Sequence, residues 1–281
     1  MAKIEGFRIQ NFRALHDVTL GRLWNERSSG ELTPMTAVIG KNGSGKSTVA
    51  SNLACVFAKR GFRTALIDAN RFYGSIQYFF DMEIKPEKSM RGMLSGDDSL
   101  SVGESFTECA AIKNLYIASL SDQDDCAGYR ILRVDSVVRF INLVKNSFDL
   151  AIFDGDESIE DPLSMYSLTM SDRIVYVTRP SLKYAVFAKA YESIVTGLQV
   201  TDRISVLFIG EGQNHDYAAH MPFGLADRYH VLPLYKALEN FQGTEQLIVL
   251  AKGIDRISSR YRETINNIAD SINPKRSSNG I

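Results

Sequence analysis

Gly40-Lys41-Asn42-Gly43-Ser44-Gly45-Lys46-Ser47 decides how the rest of this chain is read. It fits G-x-x-x-x-G-K-[ST], the pattern of a loop that joins a strand to a helix and cradles phosphate. Before it, Met35-Thr36-Ala37-Val38-Ile39 is a short, mostly apolar, strand-like run; after it, Val49, Leu53 and Phe57 recur at helical spacing. Glycines at these positions let successive backbone N–H groups turn inward on phosphate oxygens, and the helix N-terminus adds its partial positive charge. Gly40, Lys41, Asn42, Gly43, Ser44, Gly45, Lys46, Ser47 and Thr48 are therefore the candidate nucleotide contacts. Lys46 is placed to reach the β- and γ-phosphates, and the Ser47 hydroxyl to ligate Mg²⁺.

Working outward, Gly61 is expected to end the helix that starts at Lys46, and Thr64-Ala65-Leu66-Ile67 reads as a buried parallel strand. Asp68 follows that strand as Asp154 follows Leu150-Ala151-Ile152-Phe153. Open α/β sheets bind ligands at the carboxyl ends of their strands, so both carboxylates are candidate metal groups, holding Mg²⁺ through its waters. A helix cap or a loop turn is the plainer role for either. Further strands are predicted at 115–118, 173–178 and 204–209, with helical patterns at 129–146 and 183–198. Alternation of this kind predicts a doubly wound α/β fold of P-loop NTPase type with a mainly parallel sheet. Ahead of it, residues 4–12 and 15–20 look like a β-hairpin, which is expected to cover a sheet edge. The predicted organisation is a hairpin extension over 1–34, one nucleotide-binding domain over 35–273, and a disordered tail over 274–281.

Composition narrows the function. The chain has 281 residues and is 44% hydrophobic, enough for a sizeable core. Lys+Arg at 32 against Asp+Glu at 33 leaves a net charge of −1, so no global basic field draws it to nucleic acid or anionic lipid. Cys55, Cys109 and Cys126 are odd in number and far apart, and with no Cys/His cluster of metal-ligand spacing they read as reduced thiols. No apolar run reaches about 18 residues and the first residues lack an apolar leader core, so a cytoplasmic protein is expected. Residues 97–125 are acidic and read as a solvated face. Ile254, Ile257, Tyr261, Ile265, Ile268 and Ile272 form one helical stripe, expected to pack on the domain rather than on a membrane.

Two resemblances follow from these residues. From the phosphate loop through Thr64-Ala65-Leu66-Ile67-Asp68-Ala69-Asn70, Phe72-Tyr73-Gly74-Ser75, Phe148-Asp149-Leu150-Ala151-Ile152-Phe153-Asp154 and Val231-Leu232-Pro233, the chain resembles the ParA/MinD partitioning ATPases and their pilus-assembly relatives, over about residues 35–270. Residues 1–48, with Phe7-Arg8-Ile9-Gln10-Asn11-Phe12-Arg13, resemble the amino-terminal end of RecF/SMC-like and OLD-like ATPases, but no Asp-Glu pair ends a later apolar strand as that class requires.

The first resemblance implies ATP and Mg²⁺ as ligands, and an ATP-bound homodimer in which a lysine of the loop crosses to the partner's nucleotide. Lys41 holds that position, although Asn42 replaces the family's first loop glycine, and a lysine there also suits the second class. Lys41, Lys46 and Asp68 are then the implied catalytic residues. A partner protein is expected, DNA contact is compatible, and a membrane role is not favoured. Where the family has Asp-x-Asp after the second strand, this chain has Asp68-Ala69-Asn70, which implies slow hydrolysis. The competing readings are a RecF/SMC-like DNA-repair ATPase and a nucleotide-binding scaffold with negligible turnover.

Overall fold

In a computed structural model the described residues are 6–12, 15–21, 33–70, 72–95, 106–124, 132–210, 217, 220–225, 228–236, 238, 241, 243–250 and 255–272. The strands are β1 (Gly6–Phe12), β2 (Leu15–Gly21), β3 (Met35–Ile39), β4 (Thr64–Asp68), β5 (Thr107–Glu108), β6 (Leu115–Ala118), β7 (Leu150–Asp154), β8 (Arg173–Thr178), β9 (Ile204–Gly210) and β10 (Tyr229–Pro233). The helices are α1 (Lys46–Lys59), α2 (Met90–Ser95), α3 (Val134–Ser147), α4 (Pro162–Met170), α5 (Leu182–Gly197) and α6 (Arg256–Ile272). The main sheet has eight strands in the order β10-β9-β8-β3-β7-β4-β6-β5, parallel throughout except where β5 meets β6.

Continuous apolar runs become central strands because both faces of the sheet are covered, and β3, β4 and β7 are buried along their whole length. Alternation sorts their side chains. Val38, Leu66 and Ile152 point into the core shared with α1 and α6, whereas Ala37, Ala65, Ile67, Ala151 and Phe153 point to the opposite face, under α3, α4 and α5. Lys59 is the last helical residue of α1, and Gly61 follows at φ 87, the left-handed turn expected of a glycine there. In α6, Tyr261, Ile265 and Ile268 are buried and face α1 and β10, so this part of the carboxyl-terminal stripe packs on the domain, whereas Ile257 at its start is exposed. Ile254 lies outside the described residues.

Some expectations need correcting. The hairpin β1–β2 is a two-stranded sheet of its own that adds no strand to the main one, and β2 comes close to α3. The pattern at 129–146 resolves to a helix at Val134–Ser147. Two helices had no prediction, α2 and α4; α4 is started by Pro162 at its first position and by Asp161, whose Oδ1 accepts from Ser164 N at 3.0 Å. Cys55 and Cys109 are buried free thiols. Cys126, Arg13, residues 97–105 and 125 of the acidic stretch, and the tail fall outside the described residues. Among the described residues no helix is long and apolar enough to cross a membrane.

Candidate nucleotide-binding site

The carboxyl end of β3 and the first turn of α1 fix the loop between them. Gly40 has φ 145 and lies so close to β8 that a Cβ there would sit 2.2 Å from the Val177 carbonyl oxygen; only glycine fits. Gly45, at φ 103, precedes the helix, and a Cβ on it would meet Ile209 Cδ1 at 2.7 Å. Between them Ser44 N donates to Lys41 O at 3.0 Å, and the Tyr184 hydroxyl of α5 donates to Gly43 O at 3.1 Å. The loop is thus held from three sides with the N-terminus of α1 open.

That open end faces a cavity of about 300 Å³ lined by, among others, Asn42, Lys46, Ser47, Asn70, Asp154 and Asp156. Lys46 is buried, and its Nζ donates to Asn42 Oδ1 at 3.1 Å. Burial pulls its pKa down, against the opposing pull of Asp154, Asp156 and Glu157. A cation sheltered in this way and paired only with an amide is ready for an anion.

Asp68 and Asp154 are register partners at the ends of adjacent strands β4 and β7. Their hydrogen bonding differs. Asp68 Oδ1 accepts from Asn70 N at 3.1 Å, and Oδ2 accepts from Ser75 N at 2.8 Å, Ile76 N at 3.1 Å and Ser119 Oγ at 3.1 Å. Burial raises its pKa while these donors oppose the rise. Asp154 receives the Ser47 hydroxyl, but its Oδ1 is buried without a partner. Burial, then the neighbouring Asp68 charge, pushes the Asp154 carboxyl up to about 7. A carboxyl oxygen left unpaired at the mouth of a polar cavity beside a serine hydroxyl fits a hard cation with oxygen ligands. Among the described residues there is no cluster of three or more His, Cys, Asp or Glu that could hold a metal by itself, so the remaining ligands would come from phosphate and water.

Asn42, Gly43, Gly45, Lys46, Ser47, Thr48 and Asp154 therefore line one cavity, whereas Lys41 and Asp68 do not line it. Gly40 shapes the loop from below, and Ser44 is fully buried. Asn70 lines the cavity with its Oδ1 accepting from Phe72 N at 3.0 Å. Sequence reasoning missed Glu157, which accepts from Lys41 Nζ and Asn42 N, each at 2.9 Å, and Phe187, whose ring centroid lies 5.4 Å from Lys41 Nζ. Neither sits in a pattern that spacing alone could flag.

A family model described as the CobQ/CobB/MinD/ParA nucleotide binding domain matches residues 35–273. The chain belongs to this family. It is 27% identical over 143 residues to the septum site-determining protein MinD of Thermotoga maritima, a match that takes in 51% of each chain, so it spans about half the length of the curated relatives it matches. Among solved structures, MinD of Pyrococcus horikoshii complexed with Mg-ADP has a TM-score of 0.61 at 16% identity, covering 86% of this chain and 96% of that one. A putative plasmid partition protein of Borrelia burgdorferi bound to AMPPNP has a TM-score of 0.64 at 16% identity, covering 85% and 98%. At that identity the likeness is one of fold, and it agrees with the mainly parallel sheet read from the sequence. The MinD/ParA resemblance therefore holds across residues 35–273.

Proposed function

We propose that this chain binds Mg²⁺·ATP in the cavity beside Lys46 and acts as an ATP-dependent dimerisation switch in the positioning or partitioning of a cargo or assembly. The observation that carries the reading is the buried, unpartnered Asp154 Oδ1 next to Ser47, at the open end of a phosphate loop that its glycines hold in shape. Ser47 and Asp154 would hold the metal, and Lys46 with the backbone N–H groups of 42–48 would hold the phosphates. Asp68 would support the metal from behind by fixing the loop that carries Asn70 and Ser75. Bound Mg²⁺ supplies charge neutralisation between the β- and γ-phosphates.

Lys41, at the rim, is the residue that would meet a second subunit. Association of this kind is ligand binding linked to assembly, so ATP has to bind the dimer more tightly than the monomer. The named relatives, septum site-determining and plasmid partition proteins, support a cargo of that kind, with a partner protein or DNA as the surface read. A second reading, a scaffold that binds ATP with negligible turnover, is favoured by Asn70 where a carboxylate would stand.

Light scattering with ATP, ADP and no nucleotide tests the switch: a doubling of mass with ATP alone is expected. Lys46→Ala should weaken ATP binding at least about a hundredfold, roughly 2.7 kcal/mol, and abolish the doubling. Affinity unchanged within about threefold would overturn the site itself.

A further inference from the structure

Lys41, the residue through which the proposed switch would touch a second subunit, is already engaged. Its Nζ donates to Glu157 Oε1 at 2.9 Å, and the other oxygen, Oε2, accepts from the Asn42 backbone N–H at 2.9 Å. One carboxylate thus bridges two successive donors of the phosphate loop, as two oxygens of a phosphate would. Phe187 lies against the lysine from the far side. Lys46, by contrast, has only the neutral Asn42 Oδ1.

The clamp is built to be exchangeable. The side chains are 21% and 28% exposed, too sheltered for an ordinary surface ion pair and too open for a locked buried one. Glu157 is kept ionised: burial pushes its pKa up, but the hydrogen bonds from Lys41 and Asn42 N–H, with the charges of Lys41 and Lys46, outweigh burial and hold it below the usual glutamate range. Its backbone is fixed too, since Glu157 N donates to Asp156 Oδ1 at 2.6 Å. Asp154 ends β7 and Glu157 follows three residues on, so the proposed metal carboxylate and the clamp share one short stretch of chain.

We infer that Glu157 is an internal phosphate surrogate, holding Lys41 and the Asn42 N–H in the nucleotide-free chain and giving them up to phosphate oxygens when two ATP-bound subunits associate. It acts through Lys41 as a positioning residue and sets the threshold for association. The inference rests on the dimer-switch reading, and two measurements keep the two separable.

In the first, nucleotide-free full-length protein is treated with an amine-acetylating reagent and modification is followed at Lys41 by mass spectrometry, with Lys59 as the internal reference. Glu157→Gln should raise the Lys41 rate at least fivefold over Lys59; an unchanged ratio overturns the clamp whatever the assembly does. In the second, association is titrated with ATP by light scattering for wild type, Glu157→Gln, Lys41→Ala and the double variant. Glu157→Gln should lower the ATP concentration at half-association at least tenfold, and the double variant should behave like Lys41→Ala. A midpoint unchanged within threefold, or a double variant that keeps the gain, overturns the surrogate role. Failure of every variant and wild type to associate overturns the switch reading and the exchange step with it, and leaves the clamp to be decided by the acetylation result.

Discussion

The ends of β4 and β7 lie side by side and carry the same residue type, yet they have been put to different uses. Asp68 has every oxygen occupied by its own chain: the backbone N–H groups of Asn70, Ser75 and Ile76 and the hydroxyl of Ser119 converge on it. Asp154 has one hydroxyl partner and one empty lone-pair face. A buried carboxylate saturated by donors works as a staple, drawing the segment after β4 into a fixed path and tying it to Ser119 at the end of β6. A buried carboxylate left short of donors is poised for a cation. Two aspartates at matching positions of a parallel sheet need not be a matched pair of ligands; the loop that follows each decides.

The largest expected effect is the divergence of two isosteric variants. Asp68→Asn replaces an acceptor-only group by one whose NH₂ has to face a backbone N–H, leaving a buried donor unsatisfied. It should cost about 2 to 3 kcal/mol and lower the Tm by roughly 6 to 9 °C. Asp154→Asn removes a buried like charge instead, so the nucleotide-free Tm should hold or rise at pH 8. Its penalty should appear only as a loss, of at least about tenfold, in the Mg²⁺-dependent tightening of ATP binding. Thermal unfolding of both proteins, with and without Mg²⁺·ATP, makes the comparison. Equal Tm losses would show that the two carboxylates do the same work.

The pH dependence sharpens the same contrast, with a smaller amplitude. Asp154 has its folded pKa raised to about 7, by burial and then by Asp68, from the ordinary aspartate value of 3.8. Between those values the native state holds a proton that the unfolded chain has released, so its contribution to stability is present at low pH and is lost as pH rises toward and through 7. The two aspartates titrate as a pair, and the loss belongs to both. The nucleotide-free Tm should therefore fall between pH 5.5 and 8 by roughly 3 to 6 °C, and Asp154→Asn should flatten that fall. A variant with the wild-type slope would place the titration elsewhere.

Much of this was legible in the sequence, for identifiable reasons. The phosphate loop is contiguous, and β3, β4, β7, β8 and β9 are apolar runs buried on both faces, so composition alone reveals them. In α4 the signal was present in Asp161-Pro162, but nine residues with a mixed Ser, Thr and apolar content leave no face for periodicity to find. The separate uses of Asp68 and Asp154 were not legible, because they depend on donors seven, eight and 51 positions away. The Glu157 clamp spans 116 positions to Lys41 and lies on a segment with no helical or strand period. Patterns report local order, whereas both of these relationships exist only once the sheet has brought its strand ends together.

Asn70 offers the finest test of how the two strand ends divide the chemistry. It lines the cavity from the β4 side, and its Oδ1 is already committed to Phe72 N at 3.0 Å. One lone pair of that oxygen is thus taken, and an amide has no basic site to take a proton from an attacking water. General-base help, typically worth about 10²- to 10⁴-fold, would then be missing from the β4 end, while the proposed ATP and Mg²⁺ would be held from the β3 and β7 ends. Asn70→Asp gives that end an oxygen for Phe72 N and a second one for water. Turnover should rise at least about tenfold, near 1.4 kcal/mol of barrier, with ATP affinity nearly unchanged. Asp156 competes for the same role, since its Oδ2 is buried at the cavity without a partner. Phosphoryl transfer through a loose transition state also needs little proton removal. Single-turnover hydrolysis of wild type, Asn70→Asp and Asp156→Asn separates these cases: a gain in the first variant locates the missing base at β4, and a loss in the second, with no gain in the first, moves it to the segment after β7.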